Sequence, residues 1–111
     1  MMTMMQKAMK EKNEEVEQLY RIMSDCSGES VEDLQGKGRR RPLPICRYLI
    51  GMELIRRKYS ANCAARQIGI DHATFLHGRK EIEKMHQTGG RYGEELLIET
   101  LFNRVISGET V

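Results

Sequence analysis

The sequence predicts an all-α fold, a helical bundle that carries a helix-turn-helix. Three observations lead there. Apolar residues recur at helical spacing along nearly the whole chain, no stretch alternates with the period of two that a strand needs, and two consecutive helical segments are joined by a turn of three residues.

Val16, Leu19, Tyr20 and Met23 form the apolar stripe of a first helix, with Glu14, Lys12 and Gln18 opposite. That helix should end near Asp25 to Gly28. Ser30-Val31-Glu32-Asp33 has the form of a capping box and opens a short helical turn through Leu34. Gly36-Lys37-Gly38-Arg39-Arg40-Arg41-Pro42 reads as a basic loop, since two glycines and a proline forbid a stable helix. From about 44 to 58 a helix is apolar nearly all round: Ile45, Tyr48, Leu49, Met52 and Ile55 on one side, Cys46, Ile50 and Leu54 on the other. Such a helix belongs at the centre of the bundle, with Pro44 in its first turn. Ser60 should cap a helix whose Ala61, Ala64, Ala65 and Ile68 share a face, and Gly69 should stop it. Asp71 caps the next, from His72 to about Gln87, which Gly89-Gly90 breaks. A last amphipathic helix over about 91–107 carries Leu97, Ile98, Leu101, Phe102, Val105 and Ile106 on a broad apolar face.

A chain of 111 residues is the size of one domain, and 40% apolar with 31% charged residues suits a globular protein. We divide it into a frayed, methionine-rich segment 1–13, a domain over 14–88, and the terminal helix 89–111, packed on the domain or at a dimer interface. No apolar run approaches the ~20 residues of a membrane helix. The start, Met1 to Met5, lacks the basic leader of a secretory signal. Cys26, Cys46 and Cys63 are an odd set without a CxxC pair, as expected of reduced thiols in a cytoplasm.

The net charge of +2 conceals a division. Residues 1–35 hold four basic and eight acidic side chains, residues 36–91 thirteen and four, and residues 92–111 one and four. A basic middle between acidic flanks suggests a polyanionic partner. On a wheel of ~100° per residue, Phe75, Gly78, Ile82 and Met85 take the core side of the helix after Asp71. Ala73, Leu76, His77, Lys80 and Lys84 lie opposite, with Asp71 and His72 at the N-terminal rim. Small and apolar groups can touch thymine methyls in a major groove, a histidine can bond a base edge, and the lysines can reach phosphates. The same face would also suit packing of Leu76 against the terminal helix, with the charges simply solvated.

Asp71-His72-Ala73-Thr74-Phe75-Leu76-His77-Gly78-Arg79-Lys80-Glu81-Ile82-Glu83 resembles the signature of the C-terminal DNA-binding domain of DnaA, the bacterial replication initiator. The likeness extends upstream through Glu15 to Tyr20, Val31 to Leu34, the basic loop Lys37 to Pro42, and Tyr48 to Leu54, covering residues 14–86. The resemblance implies a Trp-repressor-like fold, duplex DNA as partner, a link to replication initiation or its regulation, and a nucleoid-associated place in the cytoplasm. It implies major-groove reading by Asp71, His72, Ala73, Thr74 and Leu76, with His77 and Lys80 also at motif positions. It implies a minor-groove arginine from the loop, where Arg41 (or Arg40) stands closest to that position, with Arg39 beside them. Lys84 and Arg79 add phosphate contacts by position.

The chain departs from the family in four places. Gly69-Ile70 is one residue shorter than the usual Gly-Gly-Arg, Ala73 replaces a threonine, and Leu43 to Cys46 is less basic. No G-x-x-x-x-G-K-[ST] phosphate loop is present, so the expectation is DNA binding without nucleotide, ATPase activity or any other catalysis. No cofactor or metal is expected either: His72 and His77 are five apart, and Cys63 lacks a paired thiol. The alternative is an interaction module, a homodimer or an adaptor for a replication protein, acting through the acidic first helix or through Leu97, Leu101 and Val105. RNA binding fits less well, since there are six aromatic residues and only Phe75, facing inward, in the second helix of the pair.

Overall fold

The structure, a computed structural model, describes the backbone of residues 4–108 and the side chains of residues 14–108. Six helices follow one another: α1 (Met4–Ser27), α2 (Val31–Gln35), α3 (Leu43–Arg56), α4 (Ala61–Gln67), α5 (His72–Thr88) and α6 (Gly93–Ile106), with a 3-10 turn at Gly90–Tyr92 before the last. No strand occurs among the described residues. The all-helical expectation holds. The segment 1–13, expected to fray, has no described side chains, and residues 1–3 lie outside the described residues altogether.

The helix boundaries follow local chemistry. The Ser30 hydroxyl accepts from Asp33 N at 3.0 Å, Ser60 from Cys63 N at 3.1 Å, and Asp71 Oδ1 from Thr74 N at 2.6 Å. Each satisfies an amide that the first helical turn leaves without a partner. Gly69 (φ 74°) and Gly89 (φ 64°) follow the ends of α4 and α5 in the left-handed region, where a Cβ is costly. Pro44 sits in the first turn of α3, as its missing amide allows.

The central helix is α3, which touches every other helix. Leu43, Ile45, Cys46, Leu49, Ile50 and Leu54 are buried around its circumference. Around it close Leu19 and Met23 of α1, Leu34 of α2, Ala64 of α4, Phe75 and Ile82 of α5, and Ile98 and Phe102 of α6. The broad apolar face expected of α6 divides: Ile98 and Phe102 enter the core, Leu101, Val105 and Ile106 are half-buried, and Leu97 stays 60% exposed.

The acidic flanks fold back onto the basic middle. Glu15 of α1 accepts from Arg57 Nη1 at 2.7 Å and from the Tyr59 hydroxyl at 2.9 Å. Glu53, buried in α3, accepts from both Arg56 and Arg57. Hydrogen bonds from Arg57 and Arg40 hold the Glu15 and Glu29 carboxyls below the usual carboxylate range. Burial pushes the Glu53 carboxyl up, but the two arginines overcome it and leave it low. Burial, then the hydrogen bond to Glu15, pushes the Tyr59 hydroxyl up to about 12.

These shifts set the pH range of stability. In acid the unfolded carboxyls, near 4.5, take up protons before the folded ones, so stability falls as pH drops below that value. In alkali the unfolded tyrosine ionises near 10.0 and folded Tyr59 only near 12, so stability is lost as pH rises through that interval. Thermal unfolding followed by circular dichroism should therefore show a plateau between these limits and a falling Tm on both sides. A Tm that stays level through both intervals would contradict the assignment.

Candidate nucleic-acid interface

The pair α4 and α5 is seated by small residues. Ala64 and Ala65 are buried at the foot of α4, and Phe75 anchors α5 with no exposed surface. Gly51 of α3 makes the seat possible: a Cβ there would stand 2.8 Å from the Phe75 ring and 2.9 Å from Ile68 Cδ1. One helical turn further along α5, Gly78 lies so close to Tyr48 that a Cβ would overlap the ring. Backbone-to-ring contact thus fixes how deeply α5 sits on α3.

The opposite side of α5 faces solvent. Asp71, His72, Ala73, Thr74, Leu76, His77, Lys80 and Lys84 are all exposed. Leu76, 40% exposed, does not pack under α6. The Asp71 carboxyl is held below the usual carboxylate range by the backbone N–H of Thr74. His77 Nε2 lies 3.7 Å from Glu81 Oε1, too far for a strong hydrogen bond.

The basic loop is shaped by arginines that point back into the protein. Arg47, buried in α3, donates to Leu34 O at 2.9 Å, Asp33 O at 2.9 Å and Gly38 O at 2.5 Å. It thereby closes the C-terminal end of α2 and holds the loop to α3. Arg40 forms two hydrogen bonds with Glu29, at 2.7 and 3.1 Å. Arg41 donates Nε and Nη2 to Glu95 at 2.7 and 2.9 Å, donates Nη2 to Arg91 O at 2.6 Å, and lies 5.3 Å from the centre of the Tyr92 ring. Glu95 is only 2% exposed. Lys37 and Arg39 are exposed and have no carboxylate partner among the described residues.

A cleft of about 540 Å³ joins the two parts. Lys37 and Arg39 line it from the loop, Tyr48 from α3, and Asp71, Thr74 and His77 from α5. The fold therefore brings together the N-terminal part of α5 and the outer half of the loop. It turns Arg40 and Arg41 toward Glu29 and Glu95 instead, and Lys84 lies three turns down α5 from Asp71.

Composition missed three features. Lys37 enters the cleft although only the arginines were singled out. Arg47 shapes the loop, and its signal was a cation set within the most apolar stretch of α3, Leu43 to Met52. The Arg41–Glu95 pair spans 54 residues and had no local signal. Cys46 is buried, which pushes its thiol up to about 12, while Cys26 and Cys63 are half-buried. No group of three or more His, Cys, Asp or Glu that could hold a metal ion occurs among the described residues. No described helix is long and apolar enough to cross a membrane.

In comparison with known proteins, the chain matches no family model, no curated protein sequence and no solved structure.

Proposed function

We propose that the chain is a sequence-preferring duplex-DNA-binding module that acts without catalysis, with α4 and α5 as a helix-turn-helix. The cleft supports this reading most strongly. It sets two loop cations without a carboxylate partner among the described residues, Lys37 and Arg39, beside the exposed N-terminal residues of a helix capped by Asp71. In this reading α5 enters the major groove. Asp71, His72, Ala73, Thr74, Leu76 and His77 face base edges, and Lys80 and Lys84 reach phosphates. Arg39 takes the adjacent minor groove, whose negative potential attracts an arginine. Arg40 can exchange its exposed pairing with Glu29 for a phosphate at little cost. Arg41 keeps its place, because withdrawing it would leave buried Glu95 without its counter-charge. The sequence resemblance to the DNA-binding domain of DnaA supports duplex DNA as the class of partner, and with it a nucleoid-associated role linked to replication initiation.

Selection of duplexes from a random pool should yield a recurrent motif. On the best site His72→Ala should cost about 1–3 kcal/mol and relax preference at one position, whereas Lys84→Ala should weaken all duplexes alike. A pool that returns no motif, or equal losses for both variants on every duplex, would overturn the base-reading assignment.

A further inference from the structure

Among the described residues the large, clearly exposed hydrophobic side chains are Leu76 and Leu97. Leu76 belongs to the proposed DNA face; Leu97 does not. On α6 the residues Glu94, Leu97, Leu101 and Arg104 recur at intervals of three, four and three, so they form one straight seam. Ile98 and Phe102 are buried beneath the helix, which turns this seam outward, with half-buried Val105 along its edge. Glu94 and Arg104 form no ion pair among the described residues.

The order acid, Leu, Leu, base is self-complementary under a two-fold axis. When a second α6 runs antiparallel with the axis beside residue 99, Leu97 of one copy meets Leu101 of the other. Glu94 of each copy then meets Arg104 of the other, twice over. That is the isologous pattern of a symmetric dimer, in which residue i contacts j and j contacts i. A parallel arrangement would instead set Glu94 against Glu94 and Arg104 against Arg104. We propose that the outer face of α6 is a homodimer interface, with a second copy of this chain docked antiparallel through Leu97 and Leu101 and locked in register by reciprocal Glu94–Arg104 pairs. One helix pair buries less than the ~1,200 Å² of a standard interface, so the dimer is of the weak, micromolar class.

The test needs no DNA, so its outcome is separate from that of the DNA-binding reading. Sedimentation velocity of the full chain over a concentration series should show a reversible monomer–dimer equilibrium. Glu94→Arg alone and Arg104→Glu alone each place two like charges in contact and should weaken association about tenfold or more. Mixed one to one, the two variants should recover wild-type association as a heterodimer, because every pair is again of opposite sign. Leu97→Asp should leave a monomer with an unchanged circular dichroism spectrum. Three results would overturn the proposal: wild type that stays monomeric at high concentration, including through fold-back of its own first residues onto the seam; single variants that associate like wild type; or a mixture that does no better than either variant alone.

Discussion

Arg47→Met is expected to lower stability by about 3 kcal/mol and Tm by roughly 10–20 °C. The substitution keeps most of the aliphatic stem and removes the guanidinium, so it isolates three hydrogen bonds from packing. The carbonyls of Asp33, Leu34 and Gly38 all lose a charged donor at once. Two of them close the end of α2, a helix of five residues with little stability of its own. Such a loss is a large part of the ~5–15 kcal/mol that holds a domain of this size. Since Arg47 also fixes the loop, limited proteolysis within residues 36–41 should accelerate in the variant more than global unfolding accounts for. Arg66→Met is the control, because Arg66 is exposed and has no partner among the described residues. Its Tm should stay within the small range of surface substitutions. Equal Tm values for the two variants would show that Arg47 does not hold the loop.

Gly51→Val is the second large effect. A helical glycine normally invites stabilisation, since replacing it gains up to ~1 kcal/mol of helix propensity. Here the Cβ alone would approach Phe75 and Ile68 to within 2.8–2.9 Å, and valine adds two methyl groups. Phe75 has no exposed surface and Ile68 only 4%, so neither can move aside without displacing a helix. Overpacking of this kind costs about 1–3 kcal/mol or more and outweighs the propensity gain. We expect a net loss of about 2–3 kcal/mol in chemical denaturation. DNA affinity should also fall even where the protein remains folded, because α4 and α5 both lift from α3. A variant as stable as wild type would contradict the packing at this crossing.

The contrast between these sites shows what a sequence discloses. The caps at Ser30, Ser60 and Asp71 and the stops at Gly69 and Gly89 were readable, because each depends on residues within one turn of itself. The central place of α3 was readable because no charged residue interrupted its circumference except Arg47, Glu53 and, at its end, Arg56. The exposed face of α5 followed from four apolar positions at helical spacing. Pairing across long separations was not readable. The excess of thirteen basic over four acidic residues in the middle of the chain overstates what is available to a polyanion. Arg40, Arg41, Arg56 and Arg57 are bound by carboxylates, and Arg47 is spent on carbonyls. Which cations stay free depends on where Glu15, Glu29 and Glu95 land, and tertiary structure alone decides that. For the same reason the six residues of the broad apolar face of α6 could be recognised as a set but not sorted into the two that enter the core, the three left half-buried and the one left exposed.

The most direct test of DNA binding is fluorescence anisotropy of a labelled duplex, selected from the random pool, over a salt series. In the proposed complex Lys37, Arg39, Arg79, Lys80 and Lys84 would neutralise about five phosphates, with Arg40 a sixth once it leaves Glu29, so log K should fall against log salt with a slope of about −4.5 to −5.5. Arg39→Ala should reduce that slope by about one. A double substitution of Arg41 and Glu95 by Met and Leu, which removes the ion pair as a unit, should leave it unchanged. Absence of binding at low salt, or a salt dependence that is flat, would contradict the account.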